Sequence, residues 1–157
     1  MIIRKAQKKD SAQILNLLNQ VLELHAKIRP DIFVSGTTKY SESELSEILS
    51  DDSKPIFVAV DEKENVLGYA FCIIKEPSQA EYMVSNKILF LDDLCVDSKY
   101  RKKHIGKALF DFVKSEAKRL GCYEITLNVW EGNDNAKAFY DKLGMKPKET
   151  IMEFILD

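Results

Sequence analysis

The stretch "DDLCVDSKYRKKHIGKAL", residues 92–109, decides the fold because it leads from a strand into a helix through a loop rich in lysine and arginine. The strand begins earlier, in "KILFLDDLCV" at 87–96, whose apolar run is typical of a strand buried on both faces. Apolar residues then keep a helical period from Ile105 to Leu120, and Gly121 is a typical helix stop. "CYEITLNV" at 122–129 predicts the next strand. The spacing predicts a βαβ unit within an α/β fold.

The rest of the chain extends this unit in the order βα(α)βββαβαβ. Apolar positions Ile14, Leu17, Leu18, Val21 and Leu22 predict a first helix, with Asp10 or Ser11 as N-cap and an end before Pro30. Further elements are predicted as strands over 1–6, 55–60, 66–75 and 150–156 and as helices over 41–49 and 133–143. We therefore expect a single domain over 1–157.

Composition narrows the class of protein. The chain has 157 residues, 45% of them hydrophobic and 31% charged, with a formal net charge of −2. Such a chain is globular, and its charge argues against nucleic-acid binding. No apolar run approaches the ~20 residues that span a membrane, and no secretory signal is recognisable. Three cysteines and two histidines show no zinc-ligand spacing. We expect a cytoplasmic protein with no metal and no membrane partner.

The loop after strand 87–96 is a candidate anion site. Its cations are Lys99, Arg101, Lys102, Lys103 and Lys107, with no acidic residue among them. The helix that follows presents unpaired backbone N–H groups and the positive end of its dipole. Charge alone is more typical of a solvated loop, so the interpretation depends on a second motif.

That second motif lies in "NVWEGNDNAKAFYDKLGM", residues 128–145. The chain resembles the GNAT superfamily of acyl-CoA-dependent N-acyltransferases in both places. The family's pyrophosphate loop, Q/R-x-x-G-x-G/A, corresponds to Arg101 through Gly106 here. The family's N-x-x-A-x-x-F-Y-x-x-x-G-[FM] pattern matches at Asn133, Ala136, Phe139, Tyr140, Gly144 and Met145. The order of strands and helices is similar over nearly the whole chain.

The resemblance implies a mixed, mostly antiparallel sheet flanked by helices, with the βαβ unit binding acetyl-CoA. Main-chain groups of the loop would hold the pyrophosphate, namely those of Arg101, Lys102, Lys103, His104, Ile105, Gly106 and Lys107. Leu94, Cys95 and Val96 would lie beside the pantetheine and thioester, and Asn133 and Tyr140 would also face the cofactor. Cys95 is not required as a nucleophile, because in this family the amine attacks acetyl-CoA directly. Buried packing is the favoured explanation of the Cys95 side chain.

His104 departs from the family pattern, which usually has glycine at this position. Any residue except proline still offers a backbone N–H, and histidine tolerates positive φ better than most other residues. We expect an outward imidazole and a modest loss of cofactor affinity. A surface histidine without a role of its own is the alternative.

Acid and base candidates come from both motifs. An alkyl amine of pKa ~10.4 is neutral in only about one molecule in 2,500 at pH 7. In amine-acetylating members of the family a glutamate often stands in an "L-E-D-L" stretch, and Asp92 matches that glutamate. Asp93 is the second candidate for the base. A β-bulge at this point would change which face of the sheet each aspartate lies on, so alternation along the strand does not choose between them. Tyr140 matches the tyrosine that protonates the departing thiolate, and packing on its helix is the alternative.

The acceptor pocket is the least defined part of the site. His25, Arg29 and Asp31, with Phe33, Tyr82 and Trp130, are candidates by position, since residues after the first helix often line it. We expect an amine acceptor, either a small molecule or a peptide, and a homodimer stays open. The alternative function is a catalytically weak acyl-CoA-binding sensor of the same fold. A nucleotide-binding protein is disfavoured because both Gly-rich phosphate motifs are absent.

Overall fold

A computed structural model describes residues 1–156, and its element order follows the predicted one closely. The strands are β1 (Ile2–Lys5), β2 (Ile56–Val60), β3 (Val66–Lys75), β4 (Ile88–Val96) and β5 (Glu124–Thr126). The helices are α1 (Ser11–Ile28), α2 (Glu42–Leu49), α3 (Ile105–Arg119) and α4 (Asp134–Lys142). Short 3-10 turns precede α1 at Lys8–Asp10 and α3 at Ser98–Tyr100. No helix among these residues is long and apolar enough to cross a membrane.

The five strands form one sheet in the order β1-β2-β3-β4-β5. The first three neighbouring pairs are antiparallel, and only β4 and β5 run parallel. This parallel pair flanks α3 in sequence, so it is the predicted βαβ unit. The mixed, mostly antiparallel sheet is confirmed.

Helices cover the two faces of the sheet with separate cores. On one face, α1 packs Ile14, Leu17 and Leu18 against a cluster that includes Tyr69 and Phe71 of β3. On the other, α3 packs its buried residues against Phe57, Ala70, Leu89 and Leu91; these α3 residues are Phe110, Val113 and Ala117. The helical period in the sequence corresponds to these buried stripes.

A β-bulge interrupts β4 at the two aspartates. Phe71 pairs with Asp93 while the next residue, Cys72, pairs with Leu91, so Asp92 is the extra residue. The bulge reverses the facing of the strand. Leu91 packs in the α3 core, whereas Cys95, at an even spacing from it, packs in the α1 core. The alternation expected of a regular strand does not hold here.

Two predictions at the C-terminal side of the sheet need correction. The strand expected over 122–129 is only Glu124–Thr126, because β4 and β5 pair at three positions, the last being Phe90 with Thr126. The strand expected over 150–156 is not formed: those residues belong to no helix or strand. The apolar composition was a correct signal of strand preference, but strand formation also needs a pairing partner.

Gly68 is a position where β3 and β4 approach too closely for a side chain. A Cβ atom there would lie 2.6 Å from the Cys95 carbonyl oxygen. We expect Gly68→Ala to lower the free energy of unfolding by about 1–3 kcal/mol, since backbone must move. Gly106→Ala is the matched control, because its Cβ would meet only side chains, the nearest atom at 3.2 Å in Phe139. Equal melting temperatures for the two variants would contradict this account.

Candidate functional site

The loop before α3 ends in a residue with left-handed backbone. His104 is the N-cap of α3 with φ 60° and ψ 13°, and its side chain makes no capping hydrogen bond. The Ala108 N–H donates to the His104 carbonyl, so the N–H groups of 105–107 precede the first helical hydrogen bond. His104 thus adopts the conformation that glycine would take most easily, and the helix start retains its backbone donors for an anion.

The basic side chains of the loop differ in how firmly they are held. Lys107 is paired with Asp111 one turn along α3. Arg101 donates from Nε to the Val96 carbonyl at 3.4 Å, and Lys103 lies over the Tyr100 ring. Arg101, Lys102, Lys103 and His104 are all exposed. The loop therefore combines backbone donors at its end with exposed cations around them, which suits a phosphate-bearing ligand.

His104→Gly is expected to retain CoA affinity or improve it slightly. The substitution keeps the N–H and relieves a positive φ, which costs a non-glycine residue about 1–2 kcal/mol. Calorimetric titration with CoA measures the effect. His104→Ala is the control, since it removes the imidazole but keeps the backbone strain. A tenfold loss in both variants, about 1.4 kcal/mol, would show that the imidazole itself contacts the ligand.

The two sequence motifs meet in space at the start of α3. A Cβ on Gly106 would lie 3.2 Å from the ring of Phe139 on α4. Phe139 in turn packs edge-on against Tyr140, with ring centroids 5.0 Å apart. Asn133 begins α4 by accepting a hydrogen bond from the Ala136 N–H at 3.3 Å. The two motifs are therefore in contact, and this contact holds Phe139 beside Tyr140.

Tyr140 occupies a largely apolar environment. Its ring is 6.3 Å from that of Phe110 and packs with the α3 core. Burial raises the pKa of Tyr140 above its ordinary value, and the nearby charge of Asp93 raises it further. Among residues 1–156, no hydrogen-bond partner is found for its hydroxyl, so the proton is available to a bound ligand.

Asp92 and Asp93 have different partners, both on the α1 side of the sheet. Lys39, in the segment between α1 and α2, donates from Nζ to Asp92 at 3.0 Å. The Tyr69 hydroxyl donates to Asp93 at 2.7 Å. Burial raises the pKa of Asp93, and the adjacent charge of Asp92 adds to this. Asp92 is the more accessible carboxylate, held by a flexible ammonium, whereas Asp93 is fixed inside.

The second half of β4 has an open side. Leu94, Cys95 and Val96 pair with β3 on one side, but pairing with β5 has stopped at Phe90. Main-chain groups on the β5 side are thus free of any strand in the described chain. A ligand bearing amide groups fits such an edge. Cys95 itself is buried, and burial raises the pKa of its thiol to about 12, so packing accounts for this side chain.

The structure brings most of the acceptor candidates together. Phe33 contacts Trp130 edge-to-face at 5.4 Å and His25 at 5.2 Å, and the Arg29 guanidinium lies 5.8 Å from the Trp130 ring centroid. We call these four residues the aromatic cluster. Burial lowers the pKa of His25, and the positive charge of Lys39 lowers it further. Tyr82 is 91% exposed on the 76–87 segment, and it makes no aromatic contact within residues 1–156.

Sequence reasoning missed Lys39 and Tyr69. No motif singles out Lys39, because its partner Asp92 is 53 positions away. Tyr69 carried a usable signal: a tyrosine within the apolar strand "VLGYAFCII" needs a partner for its hydroxyl when buried. The paired strand supplies it through Asp93.

Comparisons with known proteins agree on one family. The model of the acetyltransferase (GNAT) family matches residues 18–145. A crystal structure of a mutant Bacillus halodurans protein is 34% identical, with a TM-score of 0.95 and 99% of each chain covered. Thialysine N-epsilon-acetyltransferase of Bos taurus is 26% identical over 153 residues, 92% of this chain and 83% of the relative. Glucosamine 6-phosphate N-acetyltransferase of Arabidopsis thaliana is 26% identical over 102 residues, which span 57% of this chain and 66% of the relative.

Proposed function

Because this chain belongs to the acetyltransferase (GNAT) family, which uses acetyl-CoA, we propose that it transfers the acetyl group of acetyl-CoA to a primary amine of a small molecule or peptide. The loop of 101–107 would hold the pyrophosphate through its backbone N–H groups. The open side of β4 at 94–96 would accept the pantetheine arm, and one of its N–H groups would polarise the thioester carbonyl.

The reaction we propose is a direct transfer. The acceptor nitrogen forms a bond to the acetyl carbon while the carbon–sulfur bond breaks, and the thiol form of CoA is released. Asp92 takes the proton that the ammonium must lose, directly or through water. Tyr140 donates its hydroxyl proton to the leaving sulfur, and the second proton that the nitrogen loses as the amide forms restores the Tyr140 hydroxyl. Making a neutral amine at pH 7 costs about 4.6 kcal/mol, and a carboxylate at the site supplies part of it.

One observation in particular supports a primary amine as the acceptor. The chain's own alkylammonium, Lys39, is bound by Asp92 at 3.0 Å, and its charge also lowers the pKa of His25 in the aromatic cluster. A primary amine on a flexible aliphatic chain is therefore compatible with the space at Asp92, and an acceptor ammonium would displace or share this contact. The relatives named above, a thialysine and a glucosamine 6-phosphate N-acetyltransferase, support an amino group as the acceptor.

The test is a thiol-release assay with acetyl-CoA against a panel of amines. The panel contains thialysine, glucosamine 6-phosphate, a polyamine, an aminoglycoside and a peptide with a free N-terminus. We expect thiol release with at least one of them and a product heavier by one acetyl group. Calorimetry with CoA alone runs beside it. Tight CoA binding with no turnover on the whole panel would favour the alternative, an acyl-CoA sensor.

A further inference from the structure

The face of the sheet beside Asp92 carries an apolar surface outside both cores. The core beneath α1 reaches along β3 to Tyr69 and Phe71, and Ile73 is the next residue of β3 on that face. Ile73 pairs with Phe90, which lies on the same face because its two neighbours on β4 pack in the α3 core. Both residues are half-buried, and neither belongs to the two cores. We call Ile73 and Phe90 the apolar shelf.

Lys75 lies at one end of the apolar shelf. It is the last residue of β3, two positions after Ile73, so it shares the same face of the sheet. Its Nζ lies 4.2 Å from the centroid of the Phe90 ring. An ammonium at this distance over a phenyl face is attracted by the ring quadrupole. The positive charge of Lys75 is therefore held over the shelf, although the side chain is exposed.

The Lys75 ammonium has no carboxylate partner within residues 1–156. The two acids that are adjacent to it in the fold are engaged elsewhere. Glu124, in the same cross-strand row, is paired with Lys148. Glu76, the next residue in the chain, lies 3.8 Å from Lys87. Lys75 thus presents a positive charge that is available to an anionic group of a ligand.

Asp92 lies at the other end of the apolar shelf. It is two positions after Phe90 on β4, about 6–7 Å along the strand, and it binds Lys39 on this same side of the sheet. The surface therefore has a carboxylate at one end, an apolar middle and an ammonium at the other end. The separation of the two ends is comparable to the length of an extended lysine side chain.

We propose that Lys75 binds a carboxylate of the acceptor while Asp92 receives its amine, so that the acceptor is an ω-amino acid, a terminal primary amine joined by a short aliphatic chain to a carboxylate. This inference rests on the proposed acetylation of an amine. The acceptor carboxylate accepts a hydrogen bond from the Lys75 ammonium, and the aliphatic chain lies on Phe90. A diamine of the same length would bring a second ammonium to Lys75, where like charges repel.

A matched pair of acceptors tests this selection. 6-Aminohexanoate and 6-aminohexanamide share the amine, the chain and the shape, and only the first carries a negative charge. We expect kcat/KM to be higher for the acid by about tenfold or more. Lys75→Gln should remove this preference by slowing the acid alone, and Lys75→Arg should retain it. Lys87→Gln is the matched control, since that lysine is paired with Glu76, and it should leave both acceptors unchanged.

A binding measurement separates this inference from the proposed function. The N-acetylated forms of the two acceptors do not react, and calorimetry in the presence of CoA gives their affinities. We expect the acid to bind more tightly than the amide by about tenfold, and Lys75→Gln to abolish the difference. Equal rates and equal affinities for acid and amide, or a preference that persists in Lys75→Gln, overturn the role of Lys75 and leave amine acetylation standing. Absence of turnover with every amine overturns the proposed function, and the two affinities still decide whether Lys75 binds the carboxylate.

Discussion

Replacing Tyr140 with phenylalanine is expected to lower kcat by about 10²–10⁴-fold, the usual contribution of a general acid. The substitution keeps the ring packing against Phe139 and Phe110. It also removes no hydrogen bond, because within residues 1–156 the hydroxyl has no partner. Stability and acetyl-CoA affinity should therefore change little, and the loss should fall on turnover. The measurement is kcat with the best amine of the panel, beside the melting temperature.

Tyr123→Phe is the matched control for this variant. Tyr123 precedes β5 and is 72% exposed, so loss of its hydroxyl should leave kcat unchanged. Because burial and Asp93 raise the pKa of Tyr140, the acid stays protonated to above about pH 10, and no alkaline loss of rate should come from it. Full activity of the phenylalanine variant would reduce Tyr140 to a packing residue.

Asp92→Asn is expected to lower kcat by about 10²-fold or more at pH 7 and to remove the acidic limb of the rate–pH profile. The base must be ionised to accept a proton, and an amide side chain cannot take this role. Lys39→Gln leaves the carboxylate and removes only the ammonium that binds it, so we expect it to lower kcat less than Asp92→Asn does.

Asp93→Asn distinguishes the two carboxylates. Burial raises the pKa of Asp93, so a limb set by this residue would lie at higher pH than one set by an ordinary aspartate. An unchanged profile in Asp92→Asn with lost activity in Asp93→Asn would assign the base to Asp93. Parent-like behaviour of both variants would mean that the amine loses its proton by another route.

The sequence pattern predicted the strands and helices that are stabilised by residues close to them in the chain. The ten residues of β3 were predicted with the same bounds, because turn residues on one side and a charged stretch on the other delimit an apolar run. The helix starts followed from caps, and the Ser41–Glu44 capping box at α2 is present. These signals come from residues that are close together in the chain, so one sequence is enough to detect them.

The parts that sequence did not predict depend on distant contacts. Strand preference in residues 150–156 was visible, but whether they form a strand depends on which edge they can reach. The carboxylates were identified as candidates, yet their facing depends on the bulge, and their partners Lys39 and Tyr69 come from other elements. Composition also indicated a run of loop cations without an acid, whereas Asp111 pairs with one of them from the next turn.

The extra residue in β4 gives this strand one position at which its length can change. Deleting Asp92 would remove the bulge and make Leu91 and Asp93 successive residues, which already lie on opposite faces of the sheet. Leu94 and Val96 would stay on the α3 side, and Cys95 would stay in the α1 core. We therefore expect a one-residue gap at Asp92 to leave the sheet folded, whereas a gap in the regular half of β3 would turn its remaining residues over.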